Sequence, residues 1–284
     1  GADDLAEQGP EASDEEVDGE IAVEPEPDDR DESVPLQDVV DMGEVRGQID
    51  SLLAEGAHDE AIDVLEATAE IPDTTRFLED NLWLYRQLGD LCRAFDREEA
   101  AIEAYARAYE LEPRQLEVLD PYAELLMAHE RRDEAADVLR SMLLHHKREL
   151  DSGRLGWIYR TLGTYYESKD ELEQSRQAFE KALQENQTDQ EALTGLLRVI
   201  GQIGAPTDII EVRRKLIKSL DESRARSMAL VAMGDDWKDK FNDPWRALDT
   251  YEEALTEDPE NKKALESIAS VGEEIGRSEE HTSE

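Results

Sequence analysis

The sequence predicts an all-α protein, an array of antiparallel helix pairs, on three observations. A motif recurs with a period of about 34 residues, which is typical of helical repeats. Apolar residues within each period follow helical spacing, and a proline after the motif, Pro113 or Pro259, stops the second helix. The motif is Leu-Gly or Met-Gly, a small residue about twelve positions later, then an aromatic residue and an alanine. Its clear copies are Leu88-Gly89, Ala101, Tyr105 and Ala108; Leu162-Gly163, Ser175, Phe179 and Ala182; and Met233-Gly234, Ala247, Tyr251 and Ala254.

The first 41 residues differ in composition from the rest of the chain. They hold 17 acidic residues and a single basic residue, Arg30, together with four prolines. High charge with few residues to bury predicts disorder. This segment is either an acidic interaction tail or a solvated linker, and its composition favours the linker.

The helical pattern begins at Met42 and continues to Gly276 through about six units and one last helix without a partner. Gly56 marks the turn between the two helices of the first unit. Three of the later units are clear copies, at 82–115, 156–189 and 227–261. In the last of these, the turn Asn242-Asp243-Pro244 should cap the second helix. Between the clear copies lie one unit from Leu116, with a long second helix through His145-His146-Lys147, and a degenerate unit at 190–226, with its turn at Gly204-Ala205-Pro206.

Small residues at the same phase of each unit indicate that its two helices pack closely. Gly89, Gly163 and Gly234 would leave a notch in the first helix, and the alanines would give the second helix a flat side. The aromatic residue would then fill the space toward the next unit. Each unit leaves one face uncovered, so neighbouring units must stack to bury it.

The last eight residues, 277–284, have the sequence RSEEHTSE. They resemble the translation of a common sequencing-adapter oligonucleotide, and we expect a non-native tail that interrupts a repeat near Gly276. Further repeats or another domain would then follow in the natural protein, and the last helix would expose Leu265, Ile268 and Ile275. A genuine polar tail is the alternative.

These units resemble the tetratricopeptide repeat family over about residues 42–276, most closely at 82–115, 156–189 and 227–261. The resemblance implies a right-handed superhelical solenoid whose first helices line a concave groove. It also implies a scaffold that binds partner proteins or peptides on this concave face. Two alternatives are a regulatory region of a larger enzyme whose catalytic domain lies outside this chain, and a structural spacer in an envelope or motility assembly.

The resemblance places eight candidate partner-binding residues in the groove. The two tryptophans are either exposed anchors, which dominate binding energies, or wedges of core between units. The arginines either hold a carboxylate-bearing peptide or pair with acidic neighbours. Family members that bind chaperone tails have Lys and Asn at these positions, whereas this chain has Arg86 with Asp90 and Asp120 with Glu124, so we do not expect that specificity. The candidates are Trp83, Arg86, Asp90, Arg93, Trp157, Arg160, Thr164 and Arg198.

Composition argues against several other functions. With 72 acidic and 31 basic residues, a net charge of −41, the chain should avoid nucleic acid and anionic membrane surfaces. No phosphate-binding loop, serine nucleophile elbow or zinc motif occurs, so we predict no enzymatic activity, cofactor or metal. The single cysteine, Cys92, falls in a core stripe. Without an apolar run or signal segment a cytoplasmic location is favoured, although a signal or anchor could precede Gly1. Oligomeric state cannot be read from the sequence.

Overall fold

The structure, a computed structural model, describes residues 40–203 and 206–282. These residues form α-helices and one 3-10 turn, Asp73–Thr75, and contain no strand, which confirms the all-α prediction. The predicted disorder of the acidic segment concerns residues that lie, apart from 40 and 41, outside the described ranges. In chain order the helices are α1 (Met42–Glu55), α2 (His58–Ala69), α3 (Leu78–Ala94), α4 (Glu98–Leu111), α5 (Leu116–Ala128), α6 (Arg132–His146), α7 (Ser152–Ser168), α8 (Leu172–Glu185), α9 (Gln190–Ile203), α10 (Pro206–Ser219), α11 (Ser223–Asp239), α12 (Pro244–Glu257) and α13 (Lys262–Thr282).

The helices pair as the repeat period predicts. Each even-numbered helix packs against the odd-numbered helix before it and against the one after it. Turns within units use left-handed backbone: Gly56 has φ 76°, and Asp96, Glu130, Asp170 and Asn242 adopt φ between 51° and 61°. The stacking of these pairs is the solenoid architecture that the sequence predicts.

The first helices of the three clear units, α3, α7 and α11, each begin four residues earlier than the motif suggests, whereas α1, α5 and α9 begin at the predicted residues. The unit expected from Gly156 starts at Ser152, because the Asp151 carboxylate accepts a hydrogen bond from the Arg154 backbone N–H at 2.8 Å and caps α7. The predicted cap of α12 is confirmed, since Asp243 accepts from the Arg246 N–H at 3.0 Å with Pro244 at the first position. Motif spacing therefore marks the centre of a helix better than its ends.

The glycine notch exists, but its occupant differs from the prediction. A Cβ built on Gly89 would lie 2.6 Å from Cε1 of Tyr105, and one on Gly163 would lie 2.8 Å from Cδ1 of Phe179. The aromatic ring of the same unit therefore fills the notch, whereas the sequence predicts that the alanines of the second helix face it. Phe179 also presses on Gly195 of the degenerate unit, a second notch that the motif did not reveal.

The ring in the notch carries a buried polar contact in two of the three clear units. The Tyr105 hydroxyl donates to the Asp90 carboxylate at 2.6 Å, and the Tyr251 hydroxyl donates to Asp235 at 2.8 Å. Burial and these carboxylates raise the pKa of both phenols above the ordinary value. In the third unit, Phe179 has no hydroxyl and Thr164 stands in place of the aspartate. The acid after the motif glycine is thus matched to the tyrosine of the next helix.

One buried arginine organises the connection between α2 and α3. The Arg76 side chain is 0% exposed. Its guanidinium donates to the Asn81 side chain at 2.6 Å, the Thr68 carbonyl at 2.7 Å and the Asp73 carboxylate at 2.9 Å. A buried charge with its hydrogen bonds satisfied fixes a connection that would otherwise be free to move. The next residue, Phe77, projects into solvent and is 78% exposed.

The last helix, α13, only partly matches its prediction. Leu265 is 50% exposed, as expected, whereas Ile268 and Ile275 are partly buried against the cluster that contains Tyr251. The backbone continues as helix through Arg277–Thr282. The resemblance of 277–284 to an adapter translation stays a prediction. Within the described residues, none of the helices combines the length and the apolarity that a membrane span requires.

Candidate functional site

The eight candidate side chains lie on three odd-numbered helices. Trp83, Arg86, Asp90 and Arg93 belong to α3; Trp157, Arg160 and Thr164 belong to α7; and Arg198 belongs to α9. The motif phase explains the correspondence, because Trp83 and Trp157 both stand six residues before the motif glycine, and Arg86 and Arg160 stand three before it. Equivalent positions in a repeat array recur on the same face of successive helices.

A cleft lined by α5, α6, α7 and α9 brings four of the candidates together. It has a volume of about 610 Å³, and Trp157, Arg160, Thr164 and Arg198 all line it. Its remaining lining includes Met127 at the end of α5 and residues of α6. The four candidates on α3 do not line this cleft. The apolar part of the lining consists of Met127, Ala136, Leu139, Leu162 and the Trp157 ring.

Both tryptophans are half-buried, each with an arginine over its ring. The Arg154 guanidinium carbon lies 4.0 Å from the Trp157 ring centroid, and Arg154 is held by Glu124 at 3.1 Å. On α3, Arg46 lies 4.8 Å from the Trp83 ring. An arginine over an aromatic face contributes a cation–π attraction and fixes the ring. The structure therefore gives each tryptophan one packed face, and Trp157 keeps another part of its ring toward the cleft.

The predicted arginines pair with acidic side chains of this chain. Arg86 lies 3.7 Å from Asp90 on the same helix. The other three arginines form four pairs: Arg93 with Glu124 at 2.7 Å, Arg160 with Asp189 at 2.8 Å and Glu191 at 3.0 Å, and Arg198 with both carboxylate oxygens of Glu167 at 2.9 Å. All of these except Arg160 with Asp189 connect neighbouring units. Hydrogen bonding to Glu167 raises the pKa of Arg198. Of the two alternatives left open by the sequence, the structure displays the intramolecular pairs.

Two other candidates make local contacts. Asp90 accepts from Tyr105 besides facing Arg86. The Thr164 hydroxyl donates to the Arg160 carbonyl at 3.3 Å, a back-bond within α7. Exposed ion pairs each contribute about 0–1 kcal/mol, so the pairs between units add little to the stability of the fold.

Sequence reasoning missed Arg132, which also lines the cleft. Arg132 is exposed and stands at the first position of α6. Unlike Arg160 and Arg198, its side chain makes no hydrogen bond or ion pair with any described residue. The resemblance directs attention to first helices, and Arg132 lies on a second helix, so only the tertiary structure could identify it.

Other chemistry finds no support in the described residues. They contain no group of three or more His, Cys, Asp or Glu side chains placed to hold a metal ion. Cys92 is 0% exposed, and burial raises the pKa of its thiol. Since the thiolate is the reactive form of cysteine, Cys92 behaves as the small core residue that the sequence predicts.

Comparisons with known proteins agree with this architecture. The sequence profile described as "Tetratricopeptide repeat" matches residues 84–115 and 158–189. These matches fall on α3–α4 and α7–α8, two of the three clear copies of the motif. No match to this sequence was found among curated proteins.

Among solved structures, similarity extends over most of the array. The Naa15/Naa10 structure bound to HypK-THB has a TM-score of 0.58 at 18% identity, with 78% of this chain and 32% of that chain covered. A MamA protein structure has a TM-score of 0.50 at 20% identity, covering 65% and 96%. YrrB, whose structure is described as a TPR protein with an unusual peptide-binding site, has a TM-score of 0.49 at 18% identity, covering 65% and 90%. At these identities the similarity concerns the fold alone.

Proposed function

We propose that this chain, two segments of which match the tetratricopeptide repeat profile, is a protein-interaction scaffold, and that a protein or peptide partner binds in the cleft lined by α5, α6, α7 and α9. The observation that carries the proposal is the convergence of Trp157, Arg160, Thr164 and Arg198 on one cleft. These side chains come from two units and are brought together by stacking alone. Repeat arrays characteristically bind on extended surfaces built in this way.

The dimensions and lining of the cleft suit a partner side chain and its neighbours. Its volume of about 610 Å³ lies within the usual range of binding sites. The half-buried Met127 supplies an accessible apolar lining, and the half-buried Trp157 and Tyr165 add aromatic surface, whereas Leu139 and Leu162 belong to the buried core. The ring is already held by Arg154, so little rotamer freedom would be lost when a partner packs on it. A rigid, half-buried tryptophan is the type of residue that dominates binding energy.

The paired arginines have a supporting role in this proposal. Arg160 connects α7 to the start of α9, and Arg198 connects α9 back to α7. These two connections run in opposite directions across the same gap and so hold the walls of the cleft at a fixed separation. The partner then meets a preformed site. Tetratricopeptide arrays are typically non-catalytic, and we propose the same for this chain.

Selection of random-sequence peptides on the immobilised full chain tests the proposal. The wild-type protein should enrich a set of related peptides, and Trp157→Ala should weaken their binding at least tenfold, since a central aromatic anchor contributes about 2 kcal/mol or more. Trp245→Ala is the matched control, because Trp245 is 56% exposed and lies on α12, away from the cleft. Its affinities should equal those of wild type. Peptides that bind Trp157→Ala as tightly as wild type would contradict the proposed site.

A further inference from the structure

The cleft contains one cation that no carboxylate of the described chain neutralises. We propose that Arg132 recognises an acidic side chain of the partner, and that the bound segment places this acid next to a large apolar residue. The inference rests on the proposed function, because it concerns the same cleft. It assigns the charge recognition to a residue of a second helix, outside the set of groove positions.

Two of the three arginines that line the cleft already bind carboxylates of this chain. Arg160 is engaged by two carboxylates, those of Asp189 and Glu191, and Arg198 holds both oxygens of Glu167. An incoming carboxylate would have to displace an existing one to bind either arginine, which leaves little net gain. Arg132 is exposed and forms no such pair with the described residues. A new charge-assisted contact at Arg132 therefore adds to those already present.

The ion pairs of the cleft decide where an acidic side chain can bind. The charged residues that line it are Arg132, Arg160, Arg198 and Glu191. Asp189 and Glu191 balance Arg160, and Glu167 balances Arg198, so Arg132 is the lining cation that the described residues leave unbalanced. A guanidinium also matches a carboxylate in two parallel hydrogen bonds.

Accessible apolar surface lies in the same cleft as Arg132. Ala136 and Leu139 of α6 are buried in the core, with 1% and 0% exposure. The apolar surface that a partner can reach belongs to Met127 of α5 and to Trp157 and Tyr165 of α7, which are all half-buried. A partner segment that pairs an acid with Arg132 would therefore present its adjacent side chain to this apolar surface. The predicted ligand is a segment with Asp or Glu close to a large aliphatic or aromatic residue.

The experiment compares peptide selection on four full-length proteins: wild type, Arg132→Gln, Arg132→Glu and Arg148→Gln. Arg148 is the matched control, since it is an exposed arginine without an ion pair in the described chain and it does not line the cleft. Thermal melts of all four proteins check that each is folded. The probes are random-sequence displayed peptides, followed by synthetic versions of those selected on wild type.

Wild type and Arg148→Gln should enrich peptides with an acid beside an apolar residue. Arg132→Gln should keep the apolar preference and lose the acidic one, and Arg132→Glu should favour Lys or Arg at the same place. In the synthetic peptides, changing the acid to its amide should lower the affinity of wild type about two- to fivefold, as expected for an exposed ion pair, and leave Arg132→Gln unaffected. A reversal of charge preference is a result that a purely structural role of Arg132 would not produce.

Two outcomes would overturn the inference in different ways. If wild type enriches no acid, or if Arg132→Gln retains the acidic preference, Arg132 does not recognise an acid, while binding in the cleft stands. If wild type enriches no related peptides at all, the proposed function fails and this inference fails with it. The Trp157→Ala protein separates the two cases, because it should lose every selected peptide irrespective of its charge.

Discussion

Replacing Gly89 with alanine should destabilise the protein, although alanine is the better helix former. A Cβ at this position would lie 2.6, 2.7 and 2.9 Å from the Cε1, Cδ1 and Cζ atoms of Tyr105. Carbon atoms in contact are normally about 3.5–4.0 Å apart, so the ring would have to retreat by about 1 Å. The ring is not free to do so, because Tyr105 is buried and its hydroxyl donates to Asp90 at 2.6 Å.

Three contributions set the size of the effect. Overpacking a close-packed interior costs about 1–3 kcal/mol. Straining the hydrogen bond from Tyr105 to a charged acceptor adds part of the about 1.5–3 kcal/mol that such a bond contributes. The higher helix propensity of alanine offsets about 1 kcal/mol of this loss. We therefore expect Gly89→Ala to lower the free energy of unfolding by about 1–2 kcal/mol.

Urea unfolding of the full chain, followed by circular dichroism, measures the effect. Gly47→Ala is the matched control: Gly47 is an exposed glycine within α1, and a Cβ built on it would meet nothing within 4 Å. This control should gain up to about 1 kcal/mol from helix propensity alone, so the same substitution should have opposite signs at the two sites.

Repeating the substitution in a Tyr105→Leu protein tests whether the Tyr105 ring causes the destabilisation. In a Tyr105→Leu protein the atoms that crowd the new methyl group are absent, so adding Gly89→Ala should be far less costly there than in wild type. The reasoning would be refuted if Gly89→Ala and Gly47→Ala had equal effects, or if Gly89→Ala cost the same in both backgrounds.

Two further predictions follow from buried polar groups. The pKa of Tyr251 is raised, mainly by burial and also by its hydrogen bond to Asp235. The protonated phenol therefore stabilises the folded protein. This contribution is fully present when the pH is below the pKa of the unfolded chain, about 10, and is lost as the pH rises toward the higher pKa of the folded protein. The free energy of unfolding should thus fall above about pH 10, and Tyr251→Phe should reduce that slope in urea titrations at several pH values; an unchanged slope would contradict the assignment. Arg76→Ala should cost about 3–5 kcal/mol, because it leaves the partners of a buried charge unsatisfied, whereas Arg148→Ala, at an exposed arginine, should stay within about 0.5 kcal/mol. Equal midpoints for these two variants would show that the Arg76 contacts do not stabilise the connection between α2 and α3.

Helix pairing could be predicted because it depends on periodicity. The motif glycines and the apolar spacing around Cys92 identify first helices, and Pro113 and Pro259 identify where second helices stop. Helix starts were less predictable from the repeat motif, because a start depends on a local cap such as Asp151, which accepts from the Arg154 N–H, and the motif residues lie in the middle of the helix. Arg76 gave no signal, because a lone arginine in a charged loop is usually solvated.

The candidate site was predictable to the level of a face. The repeat phase placed Trp157, Arg160 and Thr164 on one side of α7, and the structure keeps them together in the cleft. The repeat phase does not indicate whether the arginines are already paired with carboxylates of the same chain. That question depends on where Asp189 and Glu167 lie, and both belong to other helices or connections. Arg132 could not be identified from the sequence for the same reason, since its place in the cleft follows from the packing of α6 against α7.

The sequence by itself determined the repeat and the pairing of its helices, because these properties follow from local spacing along the chain; the face on which a partner is expected came from the resemblance to the tetratricopeptide repeat family. Only the tertiary structure decided which ring fills each glycine notch, which arginines are already neutralised and that one cation of the cleft remains unpaired within the described residues. These properties depend on distances between side chains that lie 16 residues apart within a unit, as Gly89 and Tyr105 do, or 29 to 31 residues apart, as the paired arginines and carboxylates of the cleft do. Such distances are set by how the helices of a unit pack and by how each unit stacks on the next.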